Sequence, residues 1–311
     1  MKPIILDVDT GVDDAMAIAY AARSPELKLV GLTTLFGNIP AAIAARNSLL
    51  MLELLEREDV PVFAGAEKPL FRPGKETYAE MVHGDDGLGN TVGQTAPKGK
   101  VADMPAARFI ADQVRRMPGE VTIIAVGPLT NLATAVLMEP EMPRLVKEVI
   151  IMGGAVDAPG NVTPHAEANI YNDPEAAEIV FRSGMPITMV GLDVTMRTLL
   201  ARSHLAKWRA KGTRLGQVLA DAADFYMDFY ETSNPGIGGC PLHDPLAVGM
   251  AIDSSFCKTE KLPVEVDTEG ILSTGRTICD RRAMPAKPPN VNVCLEVDAD
   301  RFLAHFLSRV G

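Results

Sequence analysis

Apolar runs and amphipathic stretches alternate along the first two thirds of the chain. PIILDV is followed by a helical pattern from about Asp13 to Arg23, LKLVGLTTLFGN by PAAIAARNSLLMLELLER, and PVFAG supplies a third short strand. Further on, VTIIAVGP leads into LTNLATAVLM, EVIIMGGA follows, and DPEAAEIVFRSG precedes PITMVGLD. Apolar strands separated by amphipathic helices spell βαβ units and a mostly parallel sheet covered on both faces. From about Thr195 the strand rhythm is lost and helical patterns dominate, as in LGQVLADAADFYMDFYE, while VEVDTEGILSTGRTICD reads as a late hairpin. No linker, low-complexity tract or internal repeat divides the sequence. The expectation is one α/β domain over residues 1–311, an open sheet flanked by helices with a helical C-terminal part wrapped onto it.

In open sheets of this kind ligands bind beyond the carboxyl ends of the strands. That edge collects Asp7 to Asp14, Gly37-Asn38, Val126-Gly127, MGGAV and GLDVT. The first of these is the most informative, because Asp7, Asp9, Asp13 and Asp14 crowd into DVDTGVDD directly after an apolar strand. Carboxylates so close repel, and burying them is costly unless something positive joins them. A hard divalent cation takes oxygen ligands, and Asp9 and Asp14 can face one ion with Gly11 relaxing the turn. Helix capping explains one or two acids in a first turn without any metal, but not four that begin inside a strand. An EF-hand is set aside, since its loop follows a helix and needs an acidic or amide residue where Gly11 stands. A magnesium phosphohydrolase of the DxDx[T/V] kind is the rival reading, and Gly11 again occupies the position of its Thr or Val.

Composition narrows the partner. Net charge is −10, with 47% hydrophobic and 23% charged residues, which argues against nucleic acid and allows a small neutral or cationic substrate. MKPIILDVDTG reaches aspartates too soon for a signal peptide, and no uncharged apolar segment is long enough for a membrane span. Cys240, Cys257, Cys279 and Cys294 form no CxxC pair, so reduced, buried or half-buried thiols in the cytoplasm are expected.

Six motifs occur together: DVDTGVDDA at Asp7, GN at Gly37, HGDDGLG at His83, VGPLTNLA at Val126, GNVTPHAEANIYNDPEAA at Gly160 and LHDPLAV at Leu242. In this order and over nearly the full chain they resemble the nucleoside hydrolase family of the inosine-uridine preferring type. The resemblance implies that family's fold with a Rossmann-like core, and a calcium ion held by Asp9, Asp14, the Val126 carbonyl and Asp244. It implies hydrolysis of the N-glycosidic bond of ribonucleosides by direct attack of water, with Asp9 as general base. Asp13, Asn38, Asn161, Glu167 and Asn169 match positions that bind ribose, and Met152 stands at a strand end near them. His243 matches the candidate acid for the leaving base, with the near-neutral titration of histidine suiting that task. His83 matches a second histidine of the base pocket, on a loop able to close over substrate. Tyr226 and Tyr230, at i and i+4, share a helix face that either lines that pocket or packs the core. Ala168 stands where many relatives carry an aromatic residue, which leaves base preference open. Relatives are dimers or tetramers, so a homodimer or homotetramer is implied. A nucleoside- or ribose-binding protein without turnover is the remaining alternative. It would need neither a metal-held water nor His243.

Overall fold

The computed structural model describes residues 1–310 of the chain. Its centre is an eight-stranded sheet. In chain order the strands are β1 (Lys2–Val8), β2 (Leu27–Thr34), β3 (Val62–Ala64), β4 (Thr122–Ala125), β5 (Glu148–Met152), β6 (Ile187–Val190), β7 (Leu199–Leu200) and β8 (Cys240–Pro241). They continue with β9 (Cys257–Leu262), β10 (Val264–Val266), β11 (Thr277–Cys279) and β12 (Val291–Val297). Spatial order in the main sheet is β3-β2-β1-β4-β5-β6-β12-β9, parallel throughout except that β9 runs antiparallel to β12. Strands β7 and β8 form a small antiparallel pair of their own.

Alternation along β1 divides the core in two. Ile4, Leu6 and Val8 join one apolar cluster with the helices Val12–Ala22, Arg214–Ser233 and Ala299–Val310. Ile5 points to the other, built with the helices Ala106–Arg116, Thr130–Met138 and Pro174–Arg182. A parallel sheet buried on both faces needs such runs of β-branched and aliphatic residues, and the sequence supplies them. The helix Val12–Ala22 is apolar on nearly every side and lies buried along its whole length apart from its last residue.

The C-terminal third contributes more strand than its sequence suggested. β12 inserts beside β6 in the main sheet and β9 closes its edge, while β10 and β11 form the expected hairpin. β9 reads CKTEKL and exposes its four middle residues. A charged edge strand of this kind resists pairing with other chains, and it hides the hydrophobic signal that reveals a strand.

Strand order reverses between β1 and β4, whose neighbours lead away in opposite directions. That is where an open α/β sheet leaves a crevice at its carboxyl edge. Asp7 of β1 pairs with Ala125 of β4, so the turn after β1 and the Val126-Gly127 segment leave the sheet side by side.

Candidate active site

The turn after β1 delivers the aspartates to this crevice, and each has a different environment. Asp7 is still within the strand. Its Oδ1 accepts from Thr33 Oγ1 (2.5 Å) and Asn131 Nδ2 (2.9 Å), and burial pushes its carboxyl up to about 7. Asp14 performs the capping that helix acids usually perform. Its Oδ2 accepts from Gly11 N (2.8 Å) and Asn38 Nδ2 (3.3 Å), and its Oδ1 from Asp9 N (3.1 Å).

Capping does not account for the rest. Asp9 Oδ1, Asp13 Oδ1 and Asp244 Oδ2 are buried without any hydrogen-bond partner. Carboxylate oxygens of Asp13, Asp14 and Asp244 gather within 4.8 Å of one another, Asp244 arriving from the first turn of the helix His243–Ile252. Asp9 Oδ2 accepts from Asn38 N at 2.6 Å. A Cβ on Gly37 would fall 2.0 Å from that oxygen, and one on Gly127 2.9 Å from Oδ1. Glycine at both places lets two loops close on Asp9. Burial, reinforced by the neighbouring acids, raises Asp9 and Asp244 well above the usual carboxylate range, Asp13 to about 8 and, by burial, Asp14 to about 6. Orphaned buried oxygens on converging like charges fit a divalent cation, and nothing else among the described residues compensates them fully. Lys75 bears on Asp9 from one side, its ammonium bonded to the Gly37 carbonyl at 2.7 Å.

A cavity of about 510 Å³ opens beside the cluster, a size suited to a small molecule. Of the catalytic, ligand and ribose-binding candidates singled out from sequence, all line it except Asp9 and Asp14, and both of those are bonded to Asn38, which does; Asp7, still within β1, does not line it either. Its lining holds no Lys or Arg. On the polar wall Glu167 caps the short helix Ala168–Asn172, accepting from Asn169 N (2.9 Å) and Ile170 N (3.2 Å), and reaches back to Gly154 N (3.0 Å). Burial raises its carboxyl to about 6. Asn169 Nδ2 donates to the carbonyls of Val126 (2.8 Å) and Met152 (3.1 Å), which fixes its amide and leaves Oδ1 for an occupant. Asn161 Oδ1 accepts from Ala168 N (2.9 Å), leaving its NH₂ free for the same purpose.

The helix Arg214–Ser233 adds aromatic side chains to the lining. Tyr226 and Tyr230 do line the cavity, and they also carry a run of hydrogen bonds. Tyr226 Oη donates to Asp13 Oδ2 (3.2 Å), Tyr230 Oη meets His243 Nε2 (2.8 Å), and His243 Nδ1 meets Thr195 Oγ1 (2.7 Å). Both nitrogens of His243 therefore have hydroxyl partners. Burial lowers His243 to about 4 and His83 to about 3, so both are neutral at pH 7. The expected titration of His243 near neutrality is thereby corrected, because a dry site disfavours the imidazolium. His83 Nδ1 accepts from Val12 N (3.1 Å), which puts its proton on Nε2. Its 3.9 Å approach to Asp13 Oδ1 is then not an ion pair. Its ring stacks on Tyr226 with centroids 5.4 Å apart.

Sequence reasoning missed Thr195, the last residue of the short helix Leu192–Thr195 that follows β6, and Phe229, which lies beside Tyr230 and lines the cavity. The i+3 offset of Phe229 from Tyr226 on one helix face is a signal that was there to be read.

The chain belongs to the family of inosine-uridine preferring nucleoside hydrolases, whose profile matches residues 4–304. It is 39% identical over 97% of its length to the pyrimidine-specific ribonucleoside hydrolase RihA of Salmonella arizonae, covering 96% of that protein. It is 41% identical over 90% of its length to uridine nucleosidase 1 of Arabidopsis thaliana, covering 82% of that chain. Among solved structures it superposes on a purine-preferring ribonucleoside hydrolase from Gardnerella vaginalis with a TM-score of 0.95 and 41% identity, covering 99% of this chain and 98% of that one. The eight-stranded, mostly parallel sheet is thus that of the nucleoside hydrolases. No helix among the described residues is long and apolar enough to cross a membrane.

Proposed function

We propose that this nucleoside hydrolase is calcium-dependent and releases free base and ribose from purine and/or pyrimidine ribonucleosides by direct attack of water. The observation that carries the reading is the set of orphaned, buried oxygens on Asp9, Asp13 and Asp244 beside a cavity rich in amide and carboxyl groups. Asp9, Asp14, Asp244 and the Val126 carbonyl would hold the ion, an all-oxygen donor set that suits calcium. Bound there, the cation would polarise the attacking water and neutralise the acids around it.

The chain's own groups do the rest. Asp9 takes the proton of the attacking water, its Oδ1 buried and without a hydrogen-bond partner. Asp13, Asn38, Asn161, Glu167 and Asn169 receive the ribose hydroxyls and turn C1′ toward Asp9, with Met152 packed beneath. A site built to pair those hydroxyls rejects a sugar lacking one. Departure of the base leaves negative charge on a ring nitrogen. Tyr230, hydrogen-bonded to His243, donates toward that nitrogen, and the neutral Nε2–H of His83 stabilises the same charge from the second side. Tyr226, Phe229, Tyr230 and the small side chain of Ala168 line the cavity that would take the base. Phe71, Ile271 and Leu272 are exposed on two loops joined by the bond from Arg72 to the Thr268 carbonyl, and they support a homo-oligomer as the working form. Reduced cysteines fit a cytoplasmic enzyme, and all four are unpaired.

The phosphohydrolase reading loses support from the same geometry. The first aspartate of DxD would be its nucleophile, and Asp7 is turned to Thr33 and Asn131 and does not line the cavity. A phosphate would also find no lysine or arginine there. The experiment is product analysis on inosine, uridine, cytidine and adenosine. Free base with an equimolar reducing sugar is expected; phosphate freed from phosphorylated substrates, with no sugar from nucleosides, would refute the proposal.

A further inference from the structure

We infer that Asp86 is a positioning residue for hydrolysis: its carboxylate folds residues 86–93 into a closed loop that fixes His83 against the aspartate turn. The inference rests on the hydrolase reading above and on His83 facing the departing base. Asp86 does not line the cavity, and no step described above uses it. It is nevertheless buried, and it gathers four backbone amides. Oδ1 accepts from Leu88 N (2.7 Å) and Asn90 N (2.9 Å), and Oδ2 from Val92 N (2.8 Å) and Gly93 N (2.8 Å). The two oxygens of a carboxylate have acceptor sites enough for four such bonds.

The loop is tied on both sides. The Asp86 carbonyl accepts from Arg46 Nη2 (3.0 Å) and Asn47 Nδ2 (2.9 Å), and the same Asn47 amide donates to the Thr10 carbonyl (3.1 Å) in the aspartate turn. On the far side Gly89, at φ +65°, packs so closely that a Cβ would fall 2.8 Å from Ala222 Cα in the helix carrying Tyr226 and Tyr230. Its amide donates to the His83 carbonyl at 2.7 Å. His83 is then held from three directions: by its carbonyl, by Val12 N on its ring, and by the stack on Tyr226. A surface loop can satisfy its amides with water, but this one converges on a single buried acid three residues after the histidine. The arrangement orders His83 before substrate arrives.

The test is Asp86→Asn in the full-length enzyme. An amide in place of the carboxylate sets two donors against backbone donors, so part of the loop is released. Turnover of inosine and uridine should fall about 10- to 100-fold, the scale of a misplaced functional group. A nitrophenyl riboside, whose leaving group needs no proton, should change by less than about threefold. His83→Ala should show the same substrate pattern, and the double variant should be no slower than His83→Ala alone. Amides of residues 84–93 should exchange hydrogen faster while those of the central sheet do not. If Asp86→Asn fails to fold, Arg46→Ala loosens the same loop from a half-buried position and should give the same pattern more weakly. Full nucleoside turnover, equal loss on both substrates, or losses that multiply in the double variant would overturn the inference. Absence of sugar release by the unmodified enzyme would instead refute the hydrolase reading, and the exchange measurement would still decide whether Asp86 holds the loop.

Discussion

Replacing Thr195 by valine isolates the histidine behind the leaving base. Thr195 is fully buried, and its hydroxyl lies 2.7 Å from His243 Nδ1. Valine keeps the shape of the side chain and removes that hydroxyl, so a buried ring nitrogen loses its partner. Leaving such a group unpaired costs about 1–3 kcal/mol. The ring can recover a partner only by turning, which breaks the 2.8 Å bond from Nε2 to Tyr230. If the whole cost is felt in the transition state, kcat/KM falls about 5- to 150-fold. The assay is steady-state sugar release from inosine and uridine beside a nitrophenyl riboside, with circular dichroism to confirm the fold. The nucleosides should lose the full factor and the activated riboside less than about twofold, since its leaving group departs without help. No change on nucleosides, or the same loss on both substrates, would refute the assignment of His243 and Tyr230 to the base.

Asp9→Ala should lower turnover by about 10²–10⁴-fold even at saturating calcium, and recovery at high calcium would make Asp9 a ligand only. Cation-free protein should lose thermal stability between about pH 6.5 and 8. Asp7 and Asp13 have folded pKa values raised to about 7 and 8, so the folded state holds protons that the unfolded state has released, and that stability is lost as pH rises through those values. Below that window His83 and His243, both lowered, act in the opposite sense, and added calcium should reduce the share of the alkaline loss that comes from Asp13; a flat melting temperature from pH 6.5 to 8 in the cation-free protein would contradict the picture. 2′-Deoxyinosine should be cleaved at least about 10²-fold more slowly than inosine, because a site built for the hydroxyl is left unpaired. Inosine 5′-monophosphate should be a poor substrate in a cavity with acids and no cationic side chain, and comparable rates on it would count against the assigned lining.

The apolar rhythm of the first two thirds foretold β1 to β6 and the helices after β1, β2 and β4 and before β6, because strands buried on both faces cannot hide their hydrophobic runs, whereas the helix Ala106–Arg116 ahead of β4 went unread. β9 escaped notice for the opposite reason, its middle residues being charged or polar and exposed at the sheet edge. β12 alternates apolar and polar residues in a region that otherwise reads as helical. In the site, local crowding made the aspartate turn legible. Thr195 and Asp86 were not, since a hydroxyl becomes a histidine partner and a carboxylate a loop organiser only once distant segments meet. The near-neutral titration expected of His243 was corrected for a similar cause. Motifs carry residue identity, whereas the pKa of His243 is decided by its burial among Thr195, Tyr230 and the surrounding core.

The central claim is that the converging carboxylates hold a cation required for cleaving the N-glycosidic bond. It is tested most directly by ribose release from inosine as purified, after exhaustive chelation, and after calcium is restored. Activity that disappears with the chelator and returns with calcium is the predicted result. Undiminished ribose release from protein shown by elemental analysis to be free of metal would contradict it.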